Sequence, residues 1–301
     1  MRLSSLVASV AVAAVSFLSA ASASAAGNHT LWLHGRSSGY ANLGSWDFSY
    51  WSHGGWSNGN VAQTGVDPKA VNYDATDHIS TTNGVIRAAL DANCSSANGD
   101  ACYVVCHSAG CAQIGYAMAN YSTGQWHVLE VFTGGSAAGG SELANAGSWL
   151  TGWNIDSDLH TGAMRSLYDH DALGNRIQGW VHNYVGGDWS SITNTIFPCA
   201  SNHWYGCTGW AGNDSVVAFH SSGHFRSTDA STGFSNAGNY SGGSFWNWTK
   251  AEFVDANNGN LGHCIHSGFL GSCKEGSRWD MNNDNGGIMG HVSNSIASLA
   301  K

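Results

Sequence analysis

Short apolar runs alternate with amphipathic stretches over the first half of the chain. The runs predict buried strands, and the first helical stretch places Ile86, Ala89 and Leu90 on one face. The expected strands are residues 30–33, 70–73, 103–105 and 126–132, and the expected helices are residues 81–92, capped by Thr81 or Thr82, and 112–120. Strands that alternate with helices predict a parallel sheet covered on both faces.

The second half of the chain is less clearly patterned. Residues 149–170 show no clear period and are interpreted as a lid or cap insertion, whereas residues 176–185 and 245–254 predict two further strands. A glycine-rich turn at residues 286–290 leads into a C-terminal amphipathic helix. The expected fold class is α/β, a doubly wound and mostly parallel sheet with loop or lid insertions.

Residues 103–112 read Tyr-Val-Val-Cys-His-Ser-Ala-Gly-Cys-Ala. A buried strand that stops at a serine between small residues and turns at once into a helix is typical of the nucleophile elbow of α/β-hydrolases. The usual motif is Gly-x-Ser-x-Gly; here Gly110 supplies the second glycine and Cys106 replaces the first. The elbow makes Ser108 the candidate nucleophile. An ordinary helix N-cap at Ser108 fits the same residues.

The first strand runs into His34-Gly35-Arg36. In many α/β-hydrolases a strand that ends in His-Gly provides one oxyanion-hole amide from the residue after the glycine, and the residue after the nucleophile provides the other. The expected donors are therefore the backbone N–H groups of Arg36 and Ala109. A plain glycine turn after a strand is the alternative.

Residues 135–144 read Gly-Ser-Ala-Ala-Gly-Gly-Ser-Glu-Leu-Ala. This stretch resembles the one that secreted bacterial lipases and esterases of the α/β-hydrolase superfamily carry after the strand following the elbow. Those lipases usually have Pro-His where this chain has Ala137 and Ala138. The resemblance covers most of the mature chain in element order but depends on short motifs.

The resemblance implies a triad in the chain order Ser, Asp, His. It points to Asp214 as the acid, in a stretch like the Asn-Asp-Gly-x-Val of such lipases, with Ser215 where glycine is usual. An aspartate that caps a turn fits the same residues. It points to His291, which follows the glycine-rich turn, as the base.

His263 is the runner-up base. Some tannase and feruloyl-esterase relatives join nucleophile and histidine through a disulfide between neighbouring cysteines. A Cys106–Cys264 bridge would resemble that arrangement and favour His263.

Residues 1–26 are interpreted as a secretory signal peptide, with Arg2, an apolar stretch and Ala-Ser-Ala repeats. Cleavage is expected between Ala23 and Ala26, which leaves residues 27–301 as one catalytic domain, secreted to the periplasm or the medium. The apolar stretch is too short and too interrupted by serine to favour a stable membrane anchor.

Eight cysteines in an exported chain predict disulfides rather than a metal site. Proximity alone favours four local pairs and leaves the connectivity open: Cys94–Cys102, Cys106–Cys111, Cys199–Cys207 and Cys264–Cys273. No Cys-x-x-Cys motif occurs, and the histidine spacings match no tight metal site, so no metal or cofactor is expected. The net charge of −9 argues against a nucleic-acid partner, and the oligomeric state is left open.

Residues 40–56 are rich in aromatic side chains without a strand or helix period. They are expected either to form an apolar wall beside the oxyanion loop or to form a satellite core under a long loop. The function expected is a serine carboxylic-ester hydrolase that acts on neutral, apolar esters through an acyl-enzyme. The alternatives are a polyester depolymerase of the polyhydroxyalkanoate type on the same triad, and a non-catalytic binding or adhesive protein on a hydrolase scaffold.

Overall fold

Six parallel strands form one sheet among the described residues of the computed structural model of the protein. The structure describes residues 27–51, 66–147, 152–179, 181–185, 217, 219–222, 224–225, 251–255, 292 and 296–299. The strands are β1 (Asn28–Leu33), β2 (Asp67–Val71), β3 (Ala101–His107), β4 (Val128–Gly134), β5 (Val181–Val185) and β6 (Ala251–Asp255). Their order across the sheet is β2-β1-β3-β4-β5-β6, with every neighbouring pair parallel.

Helices connect most of these strands and complete the α/β alternation. They are α1 (Ile79–Asn93), α2 (Ala109–Tyr121), α3 (Glu142–Gly147), α4 (Asn154–Asp158), α5 (Thr161–Leu167) and α6 (Phe219–Ser222), with 3-10 turns at Ser96–Asn98 and His170–Asn175. The expected fold class, a doubly wound parallel sheet, is confirmed. Within the described residues no helix is long and apolar enough to cross a bilayer.

Several expected boundaries were wrong. Strand β2 begins at Asp67 and ends before Tyr73, and β5 begins at Val181 rather than at residue 176. Helix α1 begins at Ile79, so His78 is its N-cap and neither expected threonine caps it. The carboxylate of Asp158 instead accepts a hydrogen bond from the Ile79 amide at 2.7 Å. A residue 79 positions away in sequence therefore provides this cap, which local patterning does not predict.

Alternate residues of each central strand belong to different cores. In β3, Val104 and Cys106 pack with α1 and α2, whereas Tyr103 and Val105 face the other side of the sheet. That second side is covered by aromatic residues that follow β1 and by the C-terminal segment: Phe48, Tyr50, Trp51, Val292 and Ile296. Both faces of the sheet are covered, as a parallel sheet requires.

Two disulfides bracket the central strand. Cys94 and Cys102 are bonded near its start, and Cys106 and Cys111 are bonded across its end. These two local pairings are confirmed. The other four cysteines, Cys199, Cys207, Cys264 and Cys273, lie outside the described residues. Because Cys106 is bonded to Cys111, the alternative Cys106–Cys264 bridge is wrong, and it no longer favours His263 as the base.

Candidate active site

The carboxyl ends of β1 and β3 are the candidate ligand-binding edge of the sheet. From β1 the chain moves outward to β2 and then returns to β3 on the other side of β1, so the strand order reverses between β1 and β3. In open α/β sheets, ligands bind at the carboxyl ends of the strands where the order reverses. Leu33 pairs with Cys106 at this edge, so the segment from His34 and the segment from His107 leave the sheet side by side.

Ser108 joins β3 to α2 in a strained conformation. Its φ of 53° and ψ of −127° make it one of two non-glycine residues with positive φ in the described part of the chain, the other being Asn42. Such backbone conformations cost about 1–3 kcal/mol and are concentrated at functional sites. An ordinary N-cap has an extended backbone and a side chain bonded to the helix, and Ser108 has neither feature. The N-cap interpretation is therefore wrong for this residue.

Gly110 allows the elbow to approach β1 closely. A Cβ atom on Gly110 would lie 2.5 Å from the Leu33 carbonyl oxygen and 2.6 Å from that of His34, so no larger residue fits. On the other side of the serine, the small residue Cys106 replaces the usual glycine and forms a bridge to Cys111, with the two Cα atoms 5.0 Å apart. The departure from the glycine motif thus introduces a covalent link across the turn.

Gly35 brings the His-Gly loop onto the serine. A Cβ atom at Gly35 would lie 2.7 Å from the Ser108 Cβ and 2.8 Å from the Tyr50 hydroxyl. This contact places the peptide after Gly35 beside the elbow, where the sequence predicts the Arg36 amide as an oxyanion donor. Ala109, the other expected donor, is the first residue of α2, and amides of a first helical turn have no partner within their own helix.

His34 is buried among tyrosines beside this loop. Its Nδ1 lies 2.7 Å from the Gly35 carbonyl oxygen, and its Nε2 accepts a hydrogen bond from the Tyr73 amide at 3.3 Å. The ring stacks on Tyr73 with centroids 4.3 Å apart. Burial lowers the pKa of His34 to about 4, so the imidazole is neutral at neutral pH.

Tyr50 connects the glycine loop to the residue before the serine. Its hydroxyl lies 2.6 Å from Nδ1 of His107, and the Gly35 amide donates a hydrogen bond to the same oxygen. Burial raises the pKa of the Tyr50 phenol well above its ordinary value, so the hydroxyl keeps its proton at neutral pH. The sequence assigns neither tyrosine a role in the site, since Tyr50 is one of the aromatic residues in 40–56 and Tyr73 only ends the expected strand 70–73.

The side chain of Arg36 is held by Asp156 and Trp153 and is only partly exposed to solvent. Its guanidinium forms an ion pair with Asp156, with Nη2 2.9 Å from Oδ2, and lies 3.9 Å from the centroid of the Trp153 ring. Asp156 belongs to α4, in the segment for which the sequence shows no period. The pairing spans 120 residues and therefore leaves no local signal.

Asp214, His291 and His263 lie outside the described residues, so their expected roles stay predictions. One residue after each of the first two is described: Val217, three residues after Asp214, is buried in the core that contains α2, and Val292, directly after His291, is buried on the opposite face of the sheet. Among the described residues no group of histidine, cysteine or acidic side chains could hold a metal ion.

The aromatic segment after β1 divides into two parts. Phe48, Tyr50 and Trp51 are buried, as the satellite-core interpretation expected. Trp46 instead exposes 70% of its surface, which is unusual for tryptophan. Only Trp46 among these four is available to a ligand from solvent, and Trp56 lies outside the described part of the segment.

No protein-family model and no curated protein matches the chain. Among the solved structures that resemble it over most of its length are two enzymes. The lipase BlEst2 of Bacillus licheniformis in its mature form is 17% identical, covers 90% of this chain and 92% of its own, and has a TM-score of 0.54. The metagenomic carboxyl esterase MGS0156 is 14% identical, covers 92% of this chain and 76% of its own, and has a TM-score of 0.52. The likeness shows that this chain has the α/β-hydrolase fold.

Proposed function

We propose that the protein is a secreted serine hydrolase that cleaves carboxylic esters through an acyl-enzyme. The observation that carries the proposal is the backbone of Ser108, strained at the switch point of the sheet with the His34-Gly35 loop packed against it. This is the geometry that places a nucleophilic oxygen beside amide donors. The lipase and the carboxyl esterase with the same fold support the proposal without identifying the reaction.

The reaction assigned to this geometry has two steps. The Ser108 hydroxyl loses its proton to a histidine and attacks the ester carbonyl, and the amides of Arg36 and Ala109 stabilise the oxyanion. The alcohol leaves with the proton returned by the histidine, and water then hydrolyses the acyl-serine by the same route. We assign the base to His291 and the orienting acid to Asp214, with His263 as the runner-up base.

The test is Ser108→Ala, with Ser122→Ala as the matched control. These two serines flank the same helix, since Ser108 directly precedes α2 and Ser122 directly follows it, and both are buried. Ser108→Ala is expected to abolish ester hydrolysis and labelling by a serine-directed phosphonate while the melting temperature stays near that of the wild type. Ser122→Ala is expected to keep both. A folded Ser108→Ala variant with near-normal turnover would contradict the proposal.

The identity of the base is tested on the same assay. His291→Ala is expected to lower turnover by about 10⁴-fold or more, because loss of a triad member leaves only binding and the oxyanion hole. His263→Ala is expected to have little effect. The reverse result would move the base to His263 and leave the serine mechanism in place.

A further inference from the structure

We infer that His34 is a positioning residue of the oxyanion hole, which sets the direction of the Arg36 amide through the carbonyl of Gly35. The inference rests on the proposed function, because it gives His34 a role in stabilising the oxyanion. It goes beyond the proposed triad and donors, in which the His34 side chain has no part.

The direction of the Arg36 N–H follows from the geometry of the peptide that joins Gly35 to Arg36. Peptide units are planar, and no cis bond occurs in the described residues, so the carbonyl and the N–H of this unit point in opposite directions. The Gly35 carbonyl accepts a hydrogen bond from Nδ1 of His34 at 2.7 Å. Holding the carbonyl toward the imidazole therefore holds the Arg36 N–H away from it.

The protonation state of His34 is fixed by its second nitrogen. Nε2 accepts the Tyr73 amide proton, so the single proton of the neutral ring must be on Nδ1, where it is donated to Gly35. Stacking on Tyr73 and burial hold the ring in this orientation. The imidazole is thus a fixed donor, and it is not available as the general base for Ser108.

The preceding peptide is held in the same way. The His34 carbonyl accepts a hydrogen bond from the Tyr73 hydroxyl at 2.7 Å, and the Gly35 amide donates to the Tyr50 hydroxyl. Both peptides that flank Gly35 therefore have bonds to buried side chains. Glycine has unusual backbone freedom, so a loop built on Gly35 needs such bonds to keep one conformation. Preorganised donors stabilise an oxyanion because they need no reorientation during the reaction.

A purely structural role for His34 predicts a different pattern of substitutions. If the ring only fills space, His34→Phe should resemble the wild type and His34→Asn should be damaged, because asparagine lacks the ring. If the ring acts as a donor, the order is reversed, because the amide nitrogen of asparagine occupies a position close to Nδ1. Both substitutions remove the hydrogen bond that Nε2 of His34 accepts from the Tyr73 amide. A difference between the two variants therefore does not come from the loss of that bond.

The experiment compares His34→Phe and His34→Asn by kcat, KM and the inhibition constant of a trifluoromethyl ketone, which forms a tetrahedral adduct with the serine. Active-site titration with a phosphonate gives the concentration of folded enzyme with a reactive serine, by which kcat is normalised. We expect His34→Phe to lose about 10²-fold in kcat, the scale of a lost oxyanion donor, with KM nearly unchanged. Inhibition of His34→Phe by the ketone should weaken by a similar factor. His34→Asn should recover most of the loss in kcat and most of the loss in ketone inhibition.

Three results would overturn the inference. His34→Phe could be as active as His34→Asn, or His34→Phe could change KM alone and leave kcat as in the wild type. The third result is an inhibition constant of the ketone that does not change together with kcat. If either His34 variant fails to fold, Tyr50→Phe tests the same peptide pair by removing the acceptor of the Gly35 amide. An unchanged kcat in that folded variant would also contradict the inference. A Ser108→Ala variant that remains active would instead refute the proposed function, whereas an inactive one with normal His34 variants refutes only the inference.

Discussion

Ser108 keeps an unfavourable backbone conformation because its neighbours fix both of its peptide groups. Its amide donates to the Gly134 carbonyl at 3.0 Å, and its carbonyl accepts from the amides of Ala137 and Cys111 at 3.0 and 3.1 Å. Strained residues persist where the surrounding structure determines them in several ways at once. The bonds come from β4, the turn after it and α2, so the strain is distributed over three segments.

His34 should make stability depend on pH in the acidic range. Its folded pKa is lowered to about 4, so the unfolded chain binds a proton at this site first as the pH falls. The associated stability is present above about pH 6.5 and is lost as the pH falls toward 4. Between pH 7 and pH 5 the loss amounts to about 2 kcal/mol in the free energy of unfolding.

The measurement is urea unfolding at several pH values for the wild type and His34→Asn. The variant should show a shallower decline than the wild type over this range, whatever its stability at pH 7. Other buried histidines, such as His170, whose pKa burial also lowers, are common to both proteins and cancel in the difference. Parallel curves for the two proteins would contradict the lowered pKa of His34.

The two described disulfides offer a controlled test of how the elbow is held. Both involve β3, one at its second residue and one at its sixth, and all four cysteines are buried. Loop-closure entropy predicts a loss of about 2–3 kcal/mol on removal of either bridge. Only the Cys106–Cys111 bridge spans Ser108.

Replacement of Cys106 and Cys111 by alanine should therefore lower both the melting temperature and kcat, because the turn around Ser108 loses its covalent closure. Replacement of Cys94 and Cys102 by alanine should lower the melting temperature to a similar extent and leave kcat nearly unchanged. Turnover below the melting transition and thermal unfolding check the two outcomes. Equal kcat losses in the two double variants would show that the elbow bridge only stabilises the fold.

Local patterns were sufficient to predict the strand, turn and helix around Ser108, since a β-branched run followed by a small-residue turn is a property of adjacent residues. The same holds for β1 and the His34-Gly35 turn. Bonds between distant segments were not predictable: Asp158 caps α1, and Asp156 pairs with Arg36. The role of Tyr50 also depends on a long-range approach, 57 residues in sequence from His107. Periodicity contains no information about such partners.

At the scale of the whole molecule, charge and exposed surface bear on the substrate. The net charge is −9, and only 10% of residues are charged. Anionic esters would approach such a surface against repulsion and usually need a cationic partner. Arg36, which belongs to the candidate site, already pairs with Asp156.

Trp46 is the most exposed aromatic side chain in the described part of residues 40–51, so a neutral substrate can reach it from solvent. The turn that carries it is fixed: the Asp47 amide donates to the Gly44 carbonyl at 2.9 Å, and the Asn72 side chain donates to the carbonyls of Gly44 and Asp47. An exposed ring on a fixed turn after the oxyanion loop can bind an acyl chain or polyester segment by burying apolar area without ordering the backbone.

The matched variants are Trp46→Ala and Trp51→Ala, because Trp51 lies in the same segment but is 4% exposed. Trp46→Ala should leave the free energy of unfolding nearly unchanged and raise KM for longer neutral acyl esters or polyhydroxyalkanoate, with short esters little affected. Trp51→Ala removes a core ring that packs edge-on against Trp32, so it should destabilise the fold by about 3–5 kcal/mol. A panel of neutral acyl esters, anionic esters and phosphoesters, measured alongside urea unfolding, checks both. Preference for anionic esters would contradict the charge argument, and an unchanged acyl-chain profile in Trp46→Ala would place the substrate away from this turn.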